Sequence, residues 1–277
     1  MPTEKGSPWP SVRNAVRRDA VPPRLRCRRR SLLGGAALGA LVSCGDQAGP
    51  AGPTVSPRPD AGRLSFRPAA PSPSRGARTG TYRVEVDGGR AAVVHAPDVS
   101  GPLRLVVMLH GAGGEPGRTL EILRPYAESH RLLIVAPASR RPTWDVILGA
   151  FGPDVRTVDT LLRRLTDDHA VDGLTVGGFS DGASYALTLG RVNGDVFDSV
   201  IAFSPGFEVA PAVHGRPRFY VSHGTRDQVL PIDACSRRIV PELRRQGYDV
   251  TYEEFDGPHE VPAEVRSSAV DWLTGSG

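Results

Sequence analysis

The sequence predicts an α/β protein: an eight-stranded, mostly parallel, doubly wound sheet with an antiparallel start. Three observations carry that expectation. From about residue 80 onward, short runs rich in Val, Ile and Leu alternate with longer segments of helical periodicity. Residues 103–109, LRLVVML, are nearly all apolar, as in a strand buried on both faces of a parallel sheet. Residues 174–185, LTVGGFSDGASY, pass from a strand through a glycine-flanked serine directly into a helix.

Taken in order, residues 82–86 and 90–95 flank Asp87-Gly88-Gly89 and predict a hairpin. The strand at 103–109 runs into His110-Gly111-Ala112-Gly113-Gly114 and is followed by a helix expected over 116–129. A strand at 132–136 leads to a loop through Trp144 and Asp145. The next helix, 153–169, places Val155, Val158, Leu161, Leu162 and Leu165 on one face. After the strand and helix around Ser180, strands are expected at 198–203 and 218–221, a helix at 232–246, a strand at 248–255 and a last helix at 262–273.

Upstream, Arg28-Arg29-Arg30-Ser31-Leu32-Leu33 leads into a run of small apolar residues that ends at Cys44 and is too short to span a bilayer. The paired arginines resemble a twin-arginine export signal, and Leu41-Val42-Ser43-Cys44 resembles a bacterial lipobox. The resemblance implies export, cleavage before Cys44, and lipid anchoring of Cys44 at the outer face of the bacterial cytoplasmic membrane. Residues 1–43 are therefore expected to be a signal and 80–277 a catalytic domain. Residues 44–79 are expected to be a lipidated cysteine with a disordered Pro/Gly/Ser-rich linker, whose root-mean-square reach would be roughly 30 to 35 Å.

The formal charge of +4 is unevenly spread, because residues 1–43 hold nine Lys or Arg and two acids, leaving 25 basic and 28 acidic residues for the rest. A domain without a basic excess is not expected to bind nucleic acid. Cys27, Cys44 and Cys235 have no metal-ligand spacing, so neither metal nor cofactor is expected. Cys235 falls in the helix expected at 232–246 and reads as a small buried apolar residue.

Gly178-Phe179-Ser180-Asp181-Gly182 reads as a nucleophile elbow, in which a tight turn holds the serine at positive φ and leaves no room for side chains two residues to either side. Ligands of such sheets sit beyond the carboxyl ends of the strands, which directs attention to two more loops. These are His223-Gly224-Thr225-Arg226-Asp227 and Asp256-Gly257-Pro258-His259. The order Ser180, Asp227, His259 matches a Ser-Asp-His triad on this kind of sheet. Asp198, Asp233 and Asp256 are rivals for the acid. Asp227 is preferred because it lies in a turn just past its strand.

These three motifs, together with His110 to Gly114, resemble the α/β-hydrolase superfamily, in particular its compact phospholipase/carboxylesterase and polyhydroxybutyrate-depolymerase-like esterases. The resemblance spans the whole expected domain and implies the α/β-hydrolase fold and a serine esterase that uses no cofactor. Ser180 would attack the acyl carbonyl, His259 would act as base and then acid, and Asp227 would orient the imidazole. By the same resemblance the oxyanion hole consists of the backbone N–H groups of Ala112 and Asp181. His110 is expected to order the oxyanion loop, His223 to stand behind the site, and the Asp181 carboxylate to turn away from it. Trp144 and Asp145 are either a substrate-pocket wall or loop packing.

Fourteen residues, Ser204 to Pro217, separate the strands at 198–203 and 218–221, so no lid domain is expected there. An open site suits small-molecule or polymeric esters. A peptidase on the same fold is the alternative enzyme, but the chain carries no propeller or cap to select peptides. A non-catalytic ligand-binding surface lipoprotein is the alternative of another class, and would require a missing triad residue; none is missing.

Overall fold

Side chains of the central strands alternate between two cores. In β3 (Leu103–Leu109), Leu105, Val107 and Leu109 point into one, and Val106 and Met108 into the other. The computed structural model describes residues 61–70, 77–86, 90–148, 151–209 and 212–275, all within one compact unit, Thr54–Gly277. The predicted signal, Cys44, the first part of the linker and the 87–89 turn lie outside the described residues.

The eight strands are ordered β1-β2-β4-β3-β5-β6-β7-β8. They are β1 (Gly80–Val86), β2 (Arg90–Ala96), β3, β4 (Leu132–Pro137), β5 (Val171–Phe179), β6 (Ser199–Phe203), β7 (Arg218–Gly224) and β8 (Val250–Phe255). β2 is antiparallel to both β1 and β4, and every other pair is parallel. One face is covered by α2 (Pro153–Asp168), α3 (Asp181–Val192) and α4 (Ser236–Arg245). The other is covered by the segment containing Leu120, Leu123 and Ala127 and by α5 (Ala263–Thr274). Phe179 lies beside Phe203, Phe203 beside Ser222, and Gly224 beside Phe255, so the loops that follow β5 to β8 share one edge.

The helix expected over 116–129 is broken. α1 covers only Pro116–Leu120, and a 3₁₀ turn follows at Arg124–Tyr126. Pro125 has no N–H to continue an α-helix, and its ring would strike the carbonyl of Glu121. Bonds of i→i−3 type take over: Ile122 to Thr119 and Leu123 to Leu120, both at 3.2 Å, and Tyr126 to Leu123 at 3.0 Å. α4 likewise starts four residues late, because the Ile232 carbonyl is occupied by the N–H groups of Cys235 and Arg237 in a turn. Cys235 is the N-cap of α4, and is buried. β7 runs three residues past the expected end, which places His223 inside the strand.

Part of the expected tether is docked. Leu64 and Phe66, alternating as in a strand, are buried in the core beside α2 and α3. Asn193 grips the backbone, accepting from Leu64 N and donating to Gly62 O, both at 2.9 Å. Asp159 accepts from Ser65 Oγ at 2.7 Å and Phe66 N at 2.6 Å, and Arg63 forks onto Asp195 at 2.7 and 2.8 Å. Composition averaged over the whole linker conceals two large apolar residues with polar partners far along the chain. Phe66→Ala is expected to cost about 3 kcal/mol of unfolding free energy in a denaturant titration, with turnover unchanged at low temperature.

Arg63 holds the Asp195 carboxyl down to about 2. A depressed carboxyl stabilises fully above its ordinary value, near 3.8, and that stabilisation is lost as pH falls toward about 2. Asp195→Asn is therefore expected to flatten the acid limb of the unfolding curve in that window and to lower stability at neutral pH. Identical pH dependence in the two proteins would exclude this role for Asp195.

Candidate active site

β5 ends at Phe179 and α3 begins at Asp181, leaving Ser180 alone in the turn with φ 58° and ψ −121°. Such a backbone costs a non-glycine residue about 1–3 kcal/mol and persists only where its surroundings hold it. Ser180 N donates to Phe203 O, and Ser180 O accepts from Ser184 N, each at 3.0 Å. A Cβ on Gly178 would lie 2.4 Å from the Gly182 carbonyl, and one on Gly182 would lie 2.1 Å from Leu109 O. Neither position can hold a side chain, as the elbow reading requires. The first N–H groups of α3 have no partner within the helix and face the serine's side of the turn. The Ser180 hydroxyl itself makes no hydrogen bond among the described residues.

The acid and histidine loops are laced together. A Cβ on Gly224 would lie 2.4 Å from the carbonyls of both Gly257 and Pro258, so only glycine lets the two backbones approach this closely. Thr225 N donates to Phe255 O at 2.8 Å and Arg226 N to Gly257 O at 3.0 Å. This lacing sets His259 Nδ1 2.5 Å from Asp227 Oδ2. The imidazole also packs on Phe179, the neighbour of Ser180, with ring centroids 4.6 Å apart.

Asp227 Oδ1 accepts from Val229 N at 2.9 Å and Leu230 N at 2.8 Å. Burial opposes its charge, but the hydrogen bonds from Leu230, His259 and Val229 outweigh it and hold the carboxyl below its ordinary value. The rivals are engaged elsewhere: Asp198 with Arg104, Asp233 with Arg237 and Asp256 with Arg226.

Beyond β3, a Cβ on Gly111 would lie 3.2 Å from Ser180 Cβ, so the backbone of the predicted oxyanion loop passes beside the serine. His110 shapes that loop. Its Nε2 accepts from Ser139 N at 3.1 Å, which leaves the proton on Nδ1, donated to Gly111 O at 2.7 Å. Burial pushes the His110 imidazole below its ordinary pKa against the pull of that carbonyl, so it stays neutral at neutral pH. Thr143 Oγ1 donates to Asp181 Oδ2 at 2.6 Å and so holds that carboxylate.

Trp144 and Asp145 are both buried, which favours loop packing. The Trp144 indole is fully buried between His110 and Tyr185, and its Nε1–H donates to His110 O at 2.8 Å. Asp145 Oδ2 accepts from Gly152 N at 3.0 Å and Asp154 N at 3.1 Å, and Asp154 in turn accepts from Asp145 N at 2.9 Å. Burial raises the Asp145 pKa, opposed by these hydrogen bonds. The pair braces the segment behind the oxyanion loop.

Sequence reasoning missed Thr143 and a pair of hydroxyls on α3. Ser184 Oγ accepts from Gly206 N at 2.9 Å and Thr188 Oγ1 from Val209 N at 3.1 Å, tying the β6–β7 connection along α3, the helix that follows Ser180. Their spacing of four residues, one helical turn, is the signal that could have found them. A cleft of about 510 Å³ opens over Arg226, Gln228, Val229, Pro258 and His259. A larger cavity, about 840 Å³, lies at the other edge of the sheet between residues 66–70, α2 and the start of β5, away from every predicted site residue. Among the described residues no group of three or more His, Cys, Asp or Glu is placed to hold a metal ion.

No protein-family model and no curated protein sequence matches the chain. Solved structures do. The crystal structure of esterase PE8 is 23% identical with a TM-score of 0.53, and the match covers 64% of this chain and 94% of that one. The S-formylglutathione hydrolase FrmB of Staphylococcus aureus is 14% identical with a TM-score of 0.56, covering 72% of this chain and 100% of that one. Acyl-protein thioesterase 2 of Zea mays is 18% identical with a TM-score of 0.50, covering 66% and 97%. With the strand order above, these likenesses show an α/β-hydrolase fold.

Proposed function

We propose that the chain is a serine hydrolase that cleaves carboxylic esters through Ser180, His259 and Asp227. The observation that carries this reading is the Asp227–His259 hydrogen bond, in loops that share one sheet edge with an elbow serine at positive φ. Several of the similar structures are esterases or hydrolases by name, which agrees with it. As the acyl carbonyl approaches, His259 Nε2 takes the Ser180 proton while Oγ bonds to carbon. The oxyanion forms against the N–H groups of Ala112 and Asp181, donors of a kind each worth on the order of a hundredfold in rate. His259 then returns the proton to the departing alcohol, leaving an acyl-enzyme that water clears by the same steps in reverse order. The Ser180 hydroxyl makes no hydrogen bond to the imidazole in this structure, and such a bond commonly tightens only when substrate is bound.

The β6–β7 connection forms no helix or strand among its described residues. Small or moderately sized esters, or the acyl groups of a polymer, suit such a site. A panel of aryl esters from short to long acyl chains, with Ser180→Ala as the blank, tests the reading. No turnover by the parent protein across the panel would refute it. Asp227→Asn is expected to lower kcat about ten-thousandfold, because an amide in place of the carboxylate permits the wrong imidazole tautomer. Full activity in that variant would move the acid to another residue.

We also propose export and lipid anchoring at Cys44, on the strength of the arginine pair and the lipobox-like stretch alone. Two or more acyl chains hold a protein firmly at a membrane, whereas one does so only marginally. Replacing Cys44 with Ser is expected to yield soluble active enzyme or an unprocessed precursor. A wild-type protein found wholly in the cytosol with its first residue intact would overturn this location and leave the esterase reading standing.

A further inference from the structure

Behind the acid lies a buried hydrogen-bond chain that the reaction as described does not use. His223, fully buried in β7, has Nε2 2.8 Å from Leu230 O and 3.2 Å from Asp227 Oδ2, and Nδ1 2.6 Å from Ser236 Oγ. Nε2 faces two oxygens that only accept, so it must carry the proton; Nδ1 then accepts the Ser236 hydroxyl hydrogen. Asp227 Oδ2 thus takes donors from two imidazoles, His223 and His259, while Oδ1 takes two backbone N–H groups. Burial pushes the His223 imidazole below its ordinary pKa, so the neutral tautomer just deduced is the resting one.

We propose that His223 is a positioning residue for the hydrolytic site: its Nε2–H ties Asp227 Oδ2 and the Leu230 carbonyl together, so that the carboxylate cannot turn from His259, while Ser236 locks the tautomer that makes this possible. The proposal rests on the esterase reading. The other ionisable groups nearby are Glu254 of β8, paired with Arg237, and Cys235 at the start of α4.

Three substitutions separate positioning from packing. His223→Gln keeps an N–H at about the place of Nε2. His223→Leu keeps bulk and has no donor. His223→Asn replaces only Nδ1, beside Ser236, and falls short of Asp227; it supplies the loss arm if His223→Leu does not fold. The measurements are kcat and KM on an aryl ester and the NMR signal of the His259 Nδ1–H bonded to Asp227, with Tm recorded for each variant.

His223→Leu or His223→Asn is expected to lower kcat at least tenfold with KM little changed, and to weaken or broaden the signal of the His259 Nδ1–H bonded to Asp227. His223→Gln should stay near the parent in both. If the variants share the parent's kcat and Nδ1–H signal and differ only in Tm, His223 is structural and the proposal is overturned. If the parent turns over no ester, the esterase reading fails on that count, and the Nδ1–H signal still decides whether His223 acts on the Asp227–His259 pair.

Discussion

Ser180→Ala is expected to leave a folded protein with ester turnover reduced on the order of a millionfold, and His259→Ala to match it. The fold should survive because alanine keeps the Cβ and the backbone bonds to Phe203 O and Ser184 N, neither of which involves the hydroxyl. Turnover should collapse because the nucleophile and its base act as one unit, so losing either removes nearly the whole of their joint contribution. What remains is the oxyanion hole and substrate binding, which alone give about a thousandfold over water or somewhat more. Initial rates on a short-chain aryl ester, with circular dichroism to confirm folding, make the measurement. A Ser180→Ala protein keeping a tenth of its activity would show that another group is the nucleophile.

Gly182→Ala is expected to cost about 3 kcal/mol of stability or more and to remove most of the activity with it. The added methyl would lie 2.1 Å from Leu109 O, 2.5 Å from Leu109 C and 2.6 Å from His110 O. All three are backbone atoms, so no side chain can swing aside. Relief requires α3 to move away from the end of β3, parting the serine from its oxyanion loop. Gly117→Ala is the control, since a Cβ there meets nothing within 4 Å. Denaturant midpoints and soluble yield of the two variants decide the matter; equal midpoints would mean that the elbow tolerates bulk.

Features that depend on a residue and its near neighbours were legible. β3, β5 and α2 declare themselves by unbroken or periodic apolar runs, and the elbow by two glycines around a serine. Asp227 and His259 followed from their places after β7 and β8, and the structure joins them. What stayed hidden depends on partners far along the chain. Asn193 and Asp159 hold residues 62–66 across more than ninety positions. Trp144 stayed open between a pocket wall and loop packing because burial is not written in a lone tryptophan between polar residues. The end of α1 was open to reading, since Pro125 stands within the apolar periodicity and overrules it.

The reach of the proposed tether is counted from the first residue that is held, and among the described residues that is Gly62 rather than one near the start of β1. From Cys44 to Gly62 the chain advances eighteen residues, which can stretch no farther than about 60 Å. The grip of Asn193 and Asp195 lies just past the end of α3, whereas Ser180 stands before its beginning. Were Cys44 lipid-anchored as proposed, the tether would join the domain at the end of α3 opposite Ser180.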